Sequence, residues 1–139
     1  MRIRSLILFV APLLFAAAQP AAGQTVHAID FVRTFPGEQA DYLRFIELNW
    51  AAARAAAQEE GAVVGYEVLA REPQGEDWDV MLVTEYASEE AYAQREDIFA
   101  KLFERPELAM KPIDGKGPRD MAEFVAGGVE ARQVLADTP

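Results

Sequence analysis

The strongest constraint on this chain is a hydrophobic period that switches back and forth along it. Residues 26–35 (VHAIDFVRTF) alternate, with Val26, Ala28, Asp30, Val32 and Thr34 on one side and His27, Ile29, Phe31, Arg33 and Phe35 on the other. Pro36-Gly37 ends this run, because proline has no N–H to give a ladder. From Glu38 to Glu60 the period becomes helical. Tyr42, Phe45, Ile46, Asn49 and Ala53 share a stripe, the Ala-rich AAARAAA stretch permits close approach, and Gly61 suits the position after a helix end. Period two returns in Ala62–Arg71, with Val63, Gly65, Glu67 and Leu69 on one face and Val64, Tyr66 and Val68 on the other. The polar turn EPQGED separates this strand from Trp78–Tyr86, which predicts an antiparallel hairpin. Ser88 is a good N-cap, followed by Glu89 and Glu90 where negative charge suits a helix start, and that helix is expected to run to Glu104. Residues 106–120 are rich in Pro and Gly and read as a loop. Met121–Val134 reads as a last strand, weakened or bulged at Gly127-Gly128.

The order β-α-β-β-α-β is that of the ferredoxin-like split βαβ unit, an α+β fold. Two helices then cover one face of a four-stranded antiparallel sheet. The other face keeps apolar side chains such as Ile29 and Phe31, and a second copy of the chain is the simplest cover for it. A homodimer is therefore expected.

The first residues read as a targeting segment. Arg2 and Arg4 precede the uncharged apolar run LILFVAPLLFAAA, and Ala21-Ala22-Gly23 offers a small-residue cleavage site. That run is shorter than the roughly 20 residues a membrane span needs and contains Pro12. The expectation is a signal peptide over residues 1–23, one domain over residues 24–139, a periplasmic or secreted location, and no membrane attachment after cleavage. The chain carries 13 Lys+Arg and 23 Asp+Glu, a formal charge of −10. Such acidity opposes nucleic acid and anionic lipid as partners. With no Cys, the domain has neither disulfides nor thiol chemistry, and its stability must come from its core or a partner.

No catalytic motif stands out, so candidates rest on residue type and position. His27 is the only His and the one side chain that ordinarily titrates near neutrality. Asp30 and Glu67 are charged residues within apolar strands, suited to acid–base work if they face a cavity. Asn49 lies on the apolar stripe of the first helix beside Trp50, with Arg54 a turn further on, and a polar Asn there needs a hydrogen-bond partner. Tyr66, Trp78 and Tyr86 are candidates to line an aromatic pocket. The acidic sets Glu59-Glu60, Glu76-Asp77-Asp79 and Glu89-Glu90 read as solvated faces and caps. Their spacing is not that of an EF-hand, and no metal site or cofactor is expected.

The strand VHAIDFVRTF, the helix start PGEQADYLRFI, and WDVMLVTEYASEEAYAQR together resemble the dimeric α/β-barrel proteins. This is the broad group of antibiotic-biosynthesis monooxygenase-like and stress-responsive domains. The resemblance implies two sheets closing into a barrel across a dimer. It leaves the activity open, since the group holds cofactor-free monooxygenases, haem-degrading enzymes, isomerases and ligand-binding domains. The haem-degrading members use a His on a helix, whereas His27 lies on a strand, and no catalytic residue carries over. Three functions follow as expectations. The first is a binding module for a small apolar or aromatic ligand. The second is a cofactor-independent monooxygenase-like enzyme acting on an aromatic or quinone-like substrate. The third is a structural dimerisation module for another exported protein.

Overall fold

A computed structural model describes residues 24–134 of the chain. The expected signal peptide, residues 1–23, lies outside the described residues. Four strands, β1 (Val26–Thr34), β2 (Val63–Ala70), β3 (Val80–Tyr86) and β4 (Ala122–Ala131), form one sheet in the order β2-β3-β1-β4. Every neighbouring pair is antiparallel, with Ile29 opposite Val83 and Phe31 opposite Met81 in the central pair. With two helices on one face, this is the ferredoxin-like α+β fold that the order of periods predicts.

The alternation in β1 and β3 sets which side chains enter the core. Val26, Val32 and Thr34 from β1, and Val80, Leu82, Thr84 and Tyr86 from β3, are buried against the helices. Leu82, Leu102 and Met121 are among the largest fully buried side chains, and burying each stabilises the fold by about 1.5–3 kcal/mol. The first helix covers residues 39–59. Tyr42, Phe45, Ile46, Ala53 and Ala57 point inward from it, and Gly61 follows in the left-handed conformation at φ +83°. Its middle, Ile46–Ala51, is wound as a π-helix, which the sequence pattern does not foretell. The second helix covers residues 89–103 and is interrupted at Gln94. Ser88 caps it as expected, its Oγ accepting the Ala91 N–H at 3.0 Å.

Three expectations change. A register shift between Val63 and Gly65 breaks the simple alternation of β2, so Val63 turns into the core on the same side as Tyr66. Residues 106–120 are a built strap rather than a plain loop, with turns at Pro106–Leu108 and Pro118–Met121 and Ile113 buried in the core. Finally, Asp79 does not belong to a solvated acidic face. It is 1% exposed and accepts from the Thr34 N–H (2.7 Å), the Thr34 hydroxyl and Gln39 Nε2 (2.9 Å). A buried carboxylate is tolerated because these donors satisfy it.

Candidate functional site

The first helix does not seal against the sheet along its whole length. Between them lies a cavity of about 660 Å³. Phe45, Ile46 and Trp50 wall it from the helix, Leu82 forms its floor, and Phe124 stands at the edge strand. The polar groups on its wall are Asp30, Tyr42, Arg54, Arg119 and Glu123. A mostly apolar hollow with a few convergent polar groups is the usual form of a small-molecule site.

Each polar group is fixed by the local fold. Asp30 points to the helix side of β1, as the alternation requires. Gly128, at φ +64° in the bulge of β4, donates its N–H to Asp30 Oδ1 at 2.7 Å. At neighbouring Gly127 a Cβ would stand 3.4 Å from that same oxygen, so the glycine pair lets β4 close on the carboxylate. Glu123 is held by an ion pair with Arg33. Tyr42 is buried, and its phenol is pushed well above the ordinary range, chiefly by desolvation and further by the charges of Asp30 and Asp79.

Arg54 is half-buried beside two aromatic rings. Its Nε donates to the Thr84 hydroxyl at 3.3 Å, and its Cζ lies 4.4 Å from the ring centres of both Trp50 and Phe99. The guanidinium is thus clasped by two aromatic rings. Burial pushes its pKa down to about 10, against the opposing pull of Tyr86 and Asp30, so it is charged at neutral pH. Phe45, Trp50 and Arg54 also border a second hollow of about 220 Å³, closed by Phe103, Leu108 and Met110.

Of the residues singled out from sequence, the fold brings Asp30 and Trp50 to the main cavity. Asn49 borders the smaller hollow. Its amide is engaged: Nδ2 donates to the Phe45 and Lys111 carbonyls at 2.9 Å each, and Oδ1 accepts the Lys111 N–H at 2.6 Å. It fastens the strap to the helix. His27 lies on the opposite face of the sheet, 3.8 Å from Glu85, and Glu67 is exposed on that face in register with Val83. Trp78 packs edge-on to Phe31 there and under the Arg71 guanidinium. Tyr66 meets the edge of Trp50, and Tyr86 packs on Tyr92. Neither tyrosine lines the main cavity. Arg54, which the sequence groups with Asn49 and Trp50 without a role of its own, is a cation on the cavity wall. Its signal was present in the four-residue step from Trp50, which stacks the two on one helix face, and in its position as the lone charge within AAARAAA. Among the described residues no group of three or more His, Cys, Asp or Glu side chains is placed to hold a metal ion. No helix there is long and apolar enough to cross a membrane.

No protein-family model matches the chain, and no curated protein is significantly similar to it. It is similar in structure to HapK from Hahella chejuensis, at 20% identity and a TM-score of 0.49 over 82% of this chain and 95% of that one. A conserved protein of unknown function from Bacteroides thetaiotaomicron, described as a possible oxidoreductase, is 15% identical with a TM-score of 0.48. The match covers 81% of this chain and all of that one. A dimeric protein of unknown function with a ferredoxin-like fold from Bacteroides fragilis is 18% identical with a TM-score of 0.40, over 80% of this chain and 93% of that one.

Proposed function

We propose that this protein is an exported homodimeric domain that binds a small, largely apolar or aromatic molecule between its first helix and its sheet. The observation that carries this reading is the cavity of about 660 Å³, whose walls are mainly apolar and whose polar groups converge from four elements. The targeting pattern of residues 1–23 supports export, and the apolar outer sheet face supports the dimer.

The two tryptophans make the reading testable, because Trp50 borders the cavity and Trp78 lies on the opposite face. In two-dimensional ¹⁵N NMR of residues 24–139, naphthalene-sized aromatic compounds are expected to shift the Trp50 indole N–H and leave that of Trp78 unmoved. Absence of any Trp50 shift at millimolar compound defeats the reading.

A second reading, an enzyme working without a cofactor on an aromatic or quinone-like substrate, is favoured by Asp30. One of its oxygens is tied to the Gly128 N–H at the cavity wall, which fixes the carboxylate as a base would need, while Arg54 offers charge for a developing oxyanion. If a turnover is found, Asp30→Asn should reduce kcat at least a hundredfold. Unchanged kcat would remove Asp30 from the chemistry.

A further inference from the structure

We infer that the molecule held in this cavity is a flat organic anion, and that its negative oxygen docks on the two terminal nitrogens of Arg54. This rests on the reading of the cavity as a ligand site and narrows it to a chemical class. A guanidinium has five N–H donors in a rigid fork. In Arg54 only Nε is spent, on the neutral hydroxyl of Thr84. Among the described residues no acceptor meets its terminal nitrogens and no carboxylate stands at ion-pairing distance. Four other guanidiniums set a contrast: Arg33, Arg71, Arg105 and Arg132 each meet a carboxylate, on Glu123, Asp77, Glu60 and Glu89 respectively, whereas Arg95, like Arg54, is held by an aromatic ring and a neutral acceptor. A half-buried charge with one neutral protein partner has donors to spare for a ligand that enters the cavity.

The carboxylates of the cavity wall do not take up those donors: neither forms an ion pair with Arg54. Glu123 is paired with Arg33, and Asp30 accepts from Gly128. The ligand itself is then the remaining source of negative oxygen. The guanidinium is held before binding, because the Trp50 and Phe99 rings both lie 4.4 Å from its Cζ. The ring-shaped part of the ligand follows from the walls, where Tyr42, Phe45, Trp50 and Phe124 present aromatic surface. The acidic surface of the chain opposes anions in general, so selection of one requires a local cation of this kind. A carboxylate, an enolate and a phenolate share the chemistry required.

The test compares 2-naphthoate with its neutral, equally shaped amide, 2-naphthamide, by isothermal titration into the protein of residues 24–139 at pH 7. The naphthoate is expected to bind at least tenfold more tightly than the amide. In Arg54→Met that preference should fall below threefold while affinity for the amide is kept. Equal binding of the two compounds by the unaltered protein overturns the anion inference and leaves the cavity reading standing. A preference that survives in Arg54→Met overturns it also, by placing the anion on another cation such as Arg119. No binding of either compound at millimolar concentration overturns both readings. Should Arg54→Met fail to fold, Arg54→Lys keeps the charge and loses the planar fork. It is expected to show at most a third of the original preference, and an undiminished preference counts against the fork.

Discussion

At the scale of single residues, the difference between a charge that stabilises and one that waits for a partner is the number of hydrogen bonds around it. Asp79 is fully buried and Arg54 is half-buried. Asp79 joins the end of β1, through Thr34, to the start of the first helix, through Gln39, and its own carbonyl accepts the Arg71 N–H at 2.9 Å where β2 ends. Removing it leaves the Thr34 N–H and the Gln39 amide buried without that acceptor. Asp79→Ala should therefore lower the unfolding free energy by about 3 kcal/mol, read from the urea midpoint at constant slope. A loss under about 1 kcal/mol would mean that water replaces the carboxylate there. In sequence the role of Asp79 was hidden by its neighbours. Next to Glu76 and Asp77 it reads as part of an acidic surface. Which member of such a cluster turns inward depends on where β3 begins, and the alternation running back from Tyr86 through Thr84 and Leu82 to Val80 leaves Asp79 just beyond the strand. Arg54 was visible in sequence as the lone charge a turn beyond Trp50, but its alanine neighbours give no hint that a cavity opens beside it.

At the scale of elements, much was legible because the periods are clean. The helix-facing set of β1, the capping by Ser88 and the left-handed Gly61 all follow from residue type and spacing. The irregularities did not follow. A π turn, a bulge and a helix break each displace the pattern by about one residue, which is within the uncertainty of any boundary read from periodicity. Within the π turn at Ile46–Ala51 the Asn49 side chain donates to the Phe45 carbonyl and grips both backbone polar groups of Lys111. The strap is fastened a second time where Lys116 Nζ meets Glu38 at 2.6 Å and Asp41 at 2.8 Å. These latches hold Pro118 and Arg119 at the cavity border. Asn49→Ala is expected to speed amide hydrogen exchange at Lys111 by at least tenfold and to cost about 2 kcal/mol of stability, while amides of β3 keep the protection set by global unfolding. Unchanged exchange at Lys111 would show that the Lys116 latch alone secures the strap.

At the scale of the whole molecule, the sheet face that the helices leave bare needs a cover. On that face Phe31 stands opposite Met81 and Ala126, and Ile29 stands opposite Val83 and Val129. Leu69 and Val129 are 45% and 41% exposed. Four strands at about 4.8 Å spacing and about 3.3 Å per residue give a face of roughly 20 by 25 Å. That is near the size a small stable interface needs. Its rim carries paired charges, His27 with Glu85 and Arg33 with Glu123, so a copy approaching by a two-fold axis would bury the apolar centre and leave the ions at the edge. The dimer is thus an expectation of the sheet, independent of the cavity on its other side. Sedimentation velocity of residues 24–139 at micromolar concentration should give twice the chain mass. Val83→Asp, placed at the centre of the face on a side chain already turned away from the core, should give the single-chain mass with an unchanged circular dichroism spectrum. The cavity should still take its ligand in that monomer, because Asp30, Tyr42, Phe45, Trp50, Arg54 and Leu82 of its wall lie on the helix side of the sheet. A Val83→Asp protein that remained dimeric would move the interface elsewhere, to the exposed apolar side chains of Phe103 and Met110 beside the smaller hollow. In that case ligand binding and association would share Trp50 and Arg54, and would depend on one another.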